Sequence, residues 1–183
     1  MSNNVYHDLA EDVLWRARRI RLAIFDVDGV LTDGRLYYGP DGEVFKAFNS
    51  LDGHGIKMLI DSGIEVAIIS GRSGAALERR AADLGIRRLH TGVSDKRATF
   101  ETLLAELKLD LAQCAAIGDD IVDLPILAQC GLSAAVANAP RYLKERVHFV
   151  TRERGGEGAA REFCDLILDA RGELAHQIRH YGA

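Results

Sequence analysis

The chain has 183 residues, of which 48% are hydrophobic and 27% charged, and its formal net charge at pH 7 is -4. These values are typical of one globular domain with a substantial core, and they exclude a disordered chain. The sequence contains no basic tract, heptad array or long apolar stretch, so we expect neither nucleic acid nor a membrane as a partner.

The N-terminal segment 1–19 mixes acidic and basic residues and has no apolar signal core, which predicts a cytoplasmic protein. The three cysteines, Cys114, Cys130 and Cys164, form no CxxC pair. Because an odd number of widely spaced cysteines is typical of reduced, buried thiols, this pattern also favours a reducing compartment.

Five continuous apolar runs predict the strands of a parallel sheet that is buried on both faces. In chain order they are RLAIFDV (21–27), EVAIIS (65–70), CAAIGD (114–119), LSAAVAN (132–138) and VHFVT (147–151). Amphipathic patterns predict helices at 55–63, 73–85 and 94–109, with Gly63 and Gly85 ending the first two and Ser94 as candidate N-cap of the third. Alternating strands and helices predict an α/β fold, a Rossmann-like parallel sheet with helices on both faces, within one domain over residues 1–183.

Segment 34–49, GRLYYGPDGEVFKAFN, interrupts this alternation and predicts a projecting β-hairpin around a Gly-Pro-Asp-Gly turn. Four aromatic side chains in it would be costly to expose to water: Tyr37, Tyr38, Phe45 and Phe48. The hairpin therefore either folds back on its own core or packs against another subunit, and we favour the second arrangement.

The last part of the chain, 152–183, is predicted to be a glycine-rich segment followed by one C-terminal helix. The glycine-rich stretch RERGGEGAARE (152–162) predicts a flexible connection. If this segment closes a cleft, removing the residues after about Arg152 should alter activity without unfolding the core.

Polar residues follow three of the predicted strands at the edge of the sheet where open α/β folds bind ligands. They are Asp26 and Asp28; Ser70, Gly71 and Arg72; and Asp119 and Asp120, with Asp123 one turn further on. Lys96 opens the helix at 94–109. If the strands are parallel, all these residues converge on one rim.

The carboxylates predict a metal site. Asp26 and Asp28 are two residues apart on an extended chain, so their side chains point the same way. Several carboxylates in one cleft are tolerable only around a cation, and oxygen ligands favour Mg²⁺ over zinc. Asp119 leaves its strand first and is the better third ligand, whereas Asp120 could orient the ligands. Asp123 either joins the metal shell or caps the next helix.

These groups suit phosphoryl transfer. A carboxylate beside Mg²⁺ can attack phosphorus and form an aspartyl phosphate, and Asp28 is placed to protonate the leaving alcohol and then deprotonate water. The Ser70 hydroxyl and the Gly71 amide, expected at a helix N-terminus, can donate to a phosphoryl oxygen. Lys96 can supply a positive charge to the phosphate and to Asp26.

This order of motifs resembles the haloacid dehalogenase-like phosphatase superfamily. The match is closer to its 3-deoxy-D-manno-octulosonate 8-phosphate phosphatases and extends from about residue 20 to about residue 165. It rests on FDVDGVLTDG, FNSLDGHGIKML, ISGR, GDDIVDLP and GGEGAARE. The short spacing between Asp28 and Ser70 independently excludes a large inserted cap domain.

The resemblance implies a Mg²⁺-dependent phosphatase of lipopolysaccharide precursor synthesis that acts on this sugar-acid phosphate. It implies that Asp26 is the nucleophile, that Asp28 is the acid/base, and that Asp26, Asp28 (through its backbone carbonyl) and Asp119 bind Mg²⁺. The implied substrate-binding residues are Asp28, Asn49, Ser50, Leu51, Asp52, Gly53, Lys57, Arg72, Arg80 and Lys96. It also implies a homotetramer with central hairpins, in which a neighbouring subunit and the glycine-rich segment near Gly155 and Gly156 cover the site.

Three alternatives remain open at this level. The substrate could be a related nonulosonic acid 9-phosphate, since both sugar acids resemble sialic acid and the sequence separates them poorly. The arginine or lysine that the family pattern leads us to expect near Leu51 is also absent, which weakens the prediction of the sugar more than that of hydrolysis. The chain could be a non-catalytic oligomerisation domain of the same fold, although its acidic residues and Lys96 argue against that role. A phospho-accepting receiver domain has similar residues but places its acidic pair adjacent and its acceptor on a middle strand.

Overall fold

The computed structural model of the chain describes residues 10–180 and residue 182. Their strands are β1 (Leu22–Phe25), β2 (Tyr37–Gly39), β3 (Gly42–Phe45), β4 (Glu65–Ile69), β5 (Arg88–His90), β6 (Cys114–Gly118), β7 (Leu132–Ala135) and β8 (Phe149–Val150). Their helices are α1 (Glu11–Arg18), α2 (Ser50–Asp61), α3 (Ala75–Leu84), α4 (Lys96–Leu107), α5 (Leu124–Leu127), α6 (Arg141–Lys144), α7 (Ala159–Ala170) and α8 (Leu174–His180). Short 3₁₀ helices at Leu111–Gln113 and Ile121–Asp123 flank β6.

Six parallel strands form one sheet in the order β5-β4-β1-β6-β7-β8. Strand β1 lies between β4 and β6, and its Ile24 pairs with Ala67 and with Ala116. The chain builds the sheet outwards from β1 in one direction and then in the other, so the topological switch point lies between β1 and β6. The predicted α/β fold is confirmed, and no cap domain is apparent among the described residues.

The sequence missed one strand, β5. Its three residues, RLH, are half-buried at the edge of the sheet and carry no continuous apolar run. An edge strand is covered less completely than a central one, so its sequence need not be uniformly apolar.

The helix boundaries differ from prediction in two places. Helix α2 begins at Ser50 rather than 55, because the Asn49 side chain accepts a hydrogen bond from the Leu51 amide at 2.8 Å. Asp95 rather than Ser94 caps α4, accepting from the amides of Arg97 and Ala98 at 3.0 and 3.1 Å.

The C-terminal part of the chain packs in the core, which argues against the prediction that it is dispensable for folding. Helix α7 packs against α2 and α1, and its Phe163 is fully buried in an edge-to-face contact with Phe25 on β1. The predicted single last helix is two helices, separated at Gly172, whose φ of 75° is left-handed.

The predicted hairpin is confirmed as the antiparallel pair β2 and β3. Tyr37 stacks on Phe45 with ring centroids 4.4 Å apart, and Phe48 packs against the core. Tyr38 and Phe45 are exposed, and packing of the hairpin against another subunit stays a prediction.

The three cysteines are free and buried, as predicted. None of the helices among residues 10–180 is long and apolar enough to cross a membrane.

Candidate active site

The carboxyl ends of β1, β4 and β6 open into one cavity of about 610 Å³ at the switch point. It is lined by Asp26, Asp28, Ser70, Gly71, Arg72, Val93, Ser94, Asp95, Lys96, Asp119, Asp120, Val122 and Pro125. The structure therefore brings together the predicted catalytic residues, the side chains predicted to ligate Mg²⁺, and Arg72.

Three carboxylates form the candidate metal site. Ligand atoms of Asp26, Asp119 and Asp123 all lie within 4.8 Å of one another. Burial, followed by repulsion from Asp26 and Asp123, raises the pKa of Asp119 to about 7. Burial and the charge of Asp123 likewise raise the pKa of Asp26. A divalent cation would offset both causes, so this oxygen donor set fits a hard cation such as Mg²⁺.

Lys96 lies beside this cluster and neutralises part of its charge. Its Nζ is 2.5 Å from Asp26 Oδ1 and 2.6 Å from Asp123 Oδ1, and the residue is buried. Burial acts to lower the pKa of Lys96, but the two carboxylates outweigh it and raise the pKa. A charged ammonium group is thus fixed at the point where a phosphoryl group would meet Asp26.

Asp123 organises the cluster through both of its oxygens. While Oδ1 accepts from Lys96, Oδ2 accepts from the amides of Asp119 and Asp120 at 3.0 and 3.3 Å. Any β-carbon at Gly118 would lie 2.5 Å from Asp123 Oδ2, so glycine allows this close approach. Asp123 therefore fixes the loop after β6 and the position of Lys96.

Asp120 is at the exposed rim of the cavity and accepts hydrogen bonds from the Ile121 amide and the Tyr142 hydroxyl. Its role in orienting the metal ligands stays a prediction.

The carboxylate of Asp28 is not part of the metal cluster and lies between two cations, of which only Lys46 is within hydrogen-bond distance. Lys46 Nζ lies 2.5 Å from Asp28 Oδ1, and Arg72 Nε lies 3.6 Å from Asp28 Oδ2. Glu43 on the hairpin contacts the same two cations, and Arg72 also donates to the Tyr38 hydroxyl. The predicted metal contact through the Asp28 backbone carbonyl stays a prediction.

Ser70 is almost fully buried at the end of β4, and its backbone is fixed on both sides. Its amide donates to the His90 carbonyl at 2.9 Å, and its carbonyl accepts from the Val93 amide at 3.0 Å. Its hydroxyl oxygen accepts from the Arg72 amide at 3.2 Å, so the hydroxyl hydrogen can point into the cavity. The expectation that Gly71 lies at a helix N-terminus is wrong, because α3 begins at Ala75.

The predicted substrate residues at the start of α2 do not line this cavity. Ser50, Leu51 and Lys57 are exposed, and Gly53 lies against the Arg80 guanidinium. Arg80 is 6.0 Å above the Phe48 ring and donates to the Asn49 carbonyl at 3.3 Å. Within one chain, these residues are therefore next to the site rather than in it.

Asp52, another predicted substrate residue, is buried beneath the start of α7. Its Oδ1 accepts from the Arg161 amide at 2.8 Å, and its Oδ2 is buried without a hydrogen-bond partner. Burial outweighs these contacts and raises the pKa of Asp52 to about 6. Within one chain Asp52 is inaccessible and caps α7 from its place on α2, and its contact with substrate stays a prediction.

The glycine-rich segment 152–162 supports the loop after Asp28. The Gly156 amide donates to the Val30 carbonyl at 2.9 Å, and the Gly155 amide donates to Asn138 Oδ1 at 3.0 Å. A β-carbon at Gly155 would lie 1.6 Å from the Gly29 carbonyl oxygen. The prediction of a flexible connection is therefore wrong, because the two backbones are in direct contact here.

Lys46 and Glu43 are the residues near the site that the sequence analysis missed. They occur in the hairpin, which has no apolar strand leading to the rim, and nothing local links them to Asp28. One local signal could have indicated them: Glu43 and Lys46 are three residues apart near the end of β3 and form an ion pair.

The chain is similar in sequence to several known proteins. A sequence profile of haloacid dehalogenase-like hydrolases matches residues 90–163. The chain is 52% identical over 179 residues to the 3-deoxy-D-manno-octulosonate 8-phosphate phosphatase KdsC of Yersinia pestis, covering 95% of this chain and 96% of that protein.

Two solved structures share the fold over nearly their whole length. A probable phosphatase of the YrbI family from Pseudomonas syringae superposes with a TM-score of 0.92 at 55% identity, covering 94% of this chain and 98% of that one. The 3-deoxy-D-manno-octulosonate 8-phosphate phosphatase of Moraxella catarrhalis, solved with magnesium, phosphate and KDO, superposes with a TM-score of 0.90 at 38% identity. That match covers 93% of this chain and 98% of the Moraxella chain.

Proposed function

The chain belongs to the 3-deoxy-D-manno-octulosonate 8-phosphate phosphatase family of the haloacid dehalogenase-like hydrolases, and we propose that it hydrolyses this ester to 3-deoxy-D-manno-octulosonate and phosphate. The reaction is a phosphoric monoester hydrolysis in the synthesis of lipopolysaccharide precursors. The observation that carries the proposal is the cluster of Asp26, Asp119, Asp123 and Lys96 at the switch point, in a chain so similar to such enzymes.

Mg²⁺ is the cofactor, bound by the carboxylates of Asp26 and Asp119 with the Asp28 carbonyl as a further ligand. When bound, Mg²⁺ keeps the carboxylates ionised and offsets the negative charge of the phosphoryl group. The oxygen donors at the rim and the magnesium in the Moraxella relative both support this choice.

The protein supplies a nucleophile and a proton carrier. The Asp26 carboxylate attacks phosphorus as the bond to the sugar oxygen breaks, and Asp28 gives that oxygen its proton. Asp28 then takes a proton from the water that attacks the aspartyl phosphate, which releases phosphate and restores Asp26. Lys96 and the Ser70 hydroxyl stabilise the charge on the phosphoryl oxygens throughout.

Recognition of the sugar acid requires cations beyond those that hold the phosphate, because the substrate is anionic at both ends. Arg72 is in position for this role, since it lines the cavity and is partly exposed. Asn49, Ser50, Leu51, Gly53, Lys57 and Arg80 would contribute only where a second copy closes over this side of the cleft. Their roles remain part of the proposal.

We further propose a homotetramer in the cytoplasm. The hairpin and the neighbouring start of α2 expose a group of large apolar side chains, Leu36, Tyr38, Val44, Phe45 and Leu51, and such a group is typical of an interface. Three free buried thiols support a reducing compartment. Light scattering on the purified chain would distinguish a tetramer from a monomer.

Phosphate release tests the activity directly. The purified chain should hydrolyse 3-deoxy-D-manno-octulosonate 8-phosphate in Mg²⁺, lose activity in EDTA and recover when Mg²⁺ is restored. Asp26→Asn should abolish turnover, whereas Asp61→Asn, on the exposed end of α2, should match the wild type. Near-wild-type turnover by Asp26→Asn would reject the covalent route.

A panel of phosphorylated sugar acids tests the substrate. A preference for a nonulosonic acid 9-phosphate would reject the proposed substrate, and no hydrolysis of any ester would favour an oligomerisation domain. The relatives described above support neither alternative.

A further inference from the structure

Two charged side chains of the hairpin, Glu43 and Lys46, contact two charged side chains of the active site of the same chain, Arg72 and Asp28. One carboxylate oxygen of Glu43, Oε2, lies 3.0 Å from Lys46 Nζ and 3.2 Å from Arg72 Nη2. The same two cations face Asp28, with Lys46 on Oδ1 at 2.5 Å and Arg72 on Oδ2 at 3.6 Å. We call this arrangement of Glu43, Lys46, Arg72 and Asp28 the charge ring.

Burial separates the roles of the two cations. The side chain of Lys46 is 2% exposed, whereas that of Arg72 is 37% exposed and lines the cavity. A substrate in the cavity can therefore meet Arg72 but cannot reach Lys46. Lys46 acts only through the two carboxylates that it contacts. Glu43 does not line the cavity either, and it acts through the two cations that it contacts.

From this geometry we propose that Glu43 is a positioning residue for catalysis: by holding Lys46 and Arg72, it fixes the Asp28 side chain where, in its protonated form, it can give a proton to the leaving alcohol. The inference rests on the proposed function, in which Asp28 is the acid/base. It gives the hairpin a catalytic task within its own chain, in addition to any contact with other subunits.

The physical reason is that Lys46 donates a hydrogen bond to one oxygen of Asp28 while Arg72 attracts the other oxygen from 3.6 Å. Glu43 contacts both cations and so determines where they lie. Without the negative charge of Glu43, nothing offsets the repulsion between Lys46 and Arg72 on this side. The two cations would move apart and draw Asp28 out of alignment. A misplacement of about 1 Å at a catalytic group costs about 100-fold in rate.

The leaving group separates positioning of the acid from a general structural role. Departure of the sugar alkoxide needs a proton, whereas p-nitrophenolate leaves without one. Since kcat/KM covers the steps up to departure of the alcohol, comparing it for the two esters isolates the contribution of Asp28 to that departure. A variant that merely loosens the fold would lower both values together.

The experiment compares wild type, Asp28→Asn, Glu43→Gln and Lys46→Gln, with Glu106→Gln, at an exposed position on α4, as the matched control. Circular dichroism verifies that each variant is folded, and Lys46→Gln serves if Glu43→Gln does not fold. We expect the Glu43 and Lys46 variants to follow Asp28→Asn, losing at least about 10-fold in kcat/KM on the sugar phosphate but less than about 2-fold on p-nitrophenyl phosphate. Glu106→Gln should match the wild type on both esters.

Equal losses on both esters, or no loss on either, would overturn the positioning role of Glu43. An Asp28→Asn variant that does not discriminate between the esters would overturn it as well, because no acid would then need positioning. Failure of the proposed function is distinguishable, since the wild type itself would not hydrolyse the sugar phosphate.

Discussion

Replacing Gly155 by alanine tests whether the glycine-rich segment packs tightly against the loop after Asp28 or is a flexible connection. A methyl group there would lie 1.6 Å from the Gly29 carbonyl oxygen and 2.5 Å from its carbonyl carbon. Because β-carbons essentially never approach a heavy atom closer than 3.0 Å, the two backbones would have to separate by about 1.4 Å. Both atoms that clash are backbone, so no side chain can rotate away.

The displacement should affect both activity and stability. Gly29 is bonded to Asp28, so a shift of this size moves the proposed acid/base, and we expect kcat on the sugar phosphate to fall about 100-fold. Overpacking of this kind should also lower the free energy of unfolding by about 1–3 kcal/mol. Phosphate release and urea denaturation measure the two effects.

Gly74→Ala is the matched control. Its added methyl group would meet its nearest neighbour, Glu43 Oε1, at 3.6 Å, and its extended φ of 169° suits alanine. This variant should therefore keep near-wild-type activity and stability. If Gly155→Ala did the same, the close packing of the two glycine backbones, and the reasoning built on it, would be refuted.

Two further predictions concern the C-terminal region. Ending the chain after Arg152 should unfold it, because α7 and the buried Phe163 are lost; a native circular dichroism spectrum and a cooperative melt would contradict this. Asp52→Asn should stabilise the protein increasingly as the pH rises from about 4 to about 7, by up to roughly 3 kcal/mol, as measured by urea denaturation. The pKa of Asp52 is raised from 3.8 to about 6 on folding, so its favourable contribution is complete below pH 3.8 and is lost as the pH rises through about 6. A difference between Asp52→Asn and wild type that is independent of pH would show that burial does not penalise the charged form.

The sequence could predict the parts of the site that follow directly from strands. Asp26, Ser70 and Asp119 each follow a continuous apolar run, and parallel strands place such residues at one edge whatever the loops do. The position of Lys96 could be predicted in the same way, because this residue begins one of the helices that alternate with the strands. The site residues that depend on chain connectivity alone were therefore predictable.

The sequence could not predict contacts between elements distant in the chain. Nothing near Asp52 in the sequence indicates that α7 begins above it, so its role as a buried helix cap could not be predicted. The glycines at 155 and 156 predict flexibility for a similar reason, since glycine both loosens a free chain and permits the closest backbone packing. Only the neighbouring backbone of the Gly29 loop distinguishes these two roles.

By itself, the sequence determined the doubly wound fold, the rim at which the chemistry occurs, and the acidic residues and lysine that form its centre. These follow from patterns within short stretches of chain, where apolar runs form strands and the polar residues after them lie at the strand ends. The tertiary structure alone decided that Asp123 holds Lys96 and that Glu43 and Lys46 reach Asp28 from the hairpin. Those contacts depend on distances between separate elements, which packing fixes and which residue spacing does not encode.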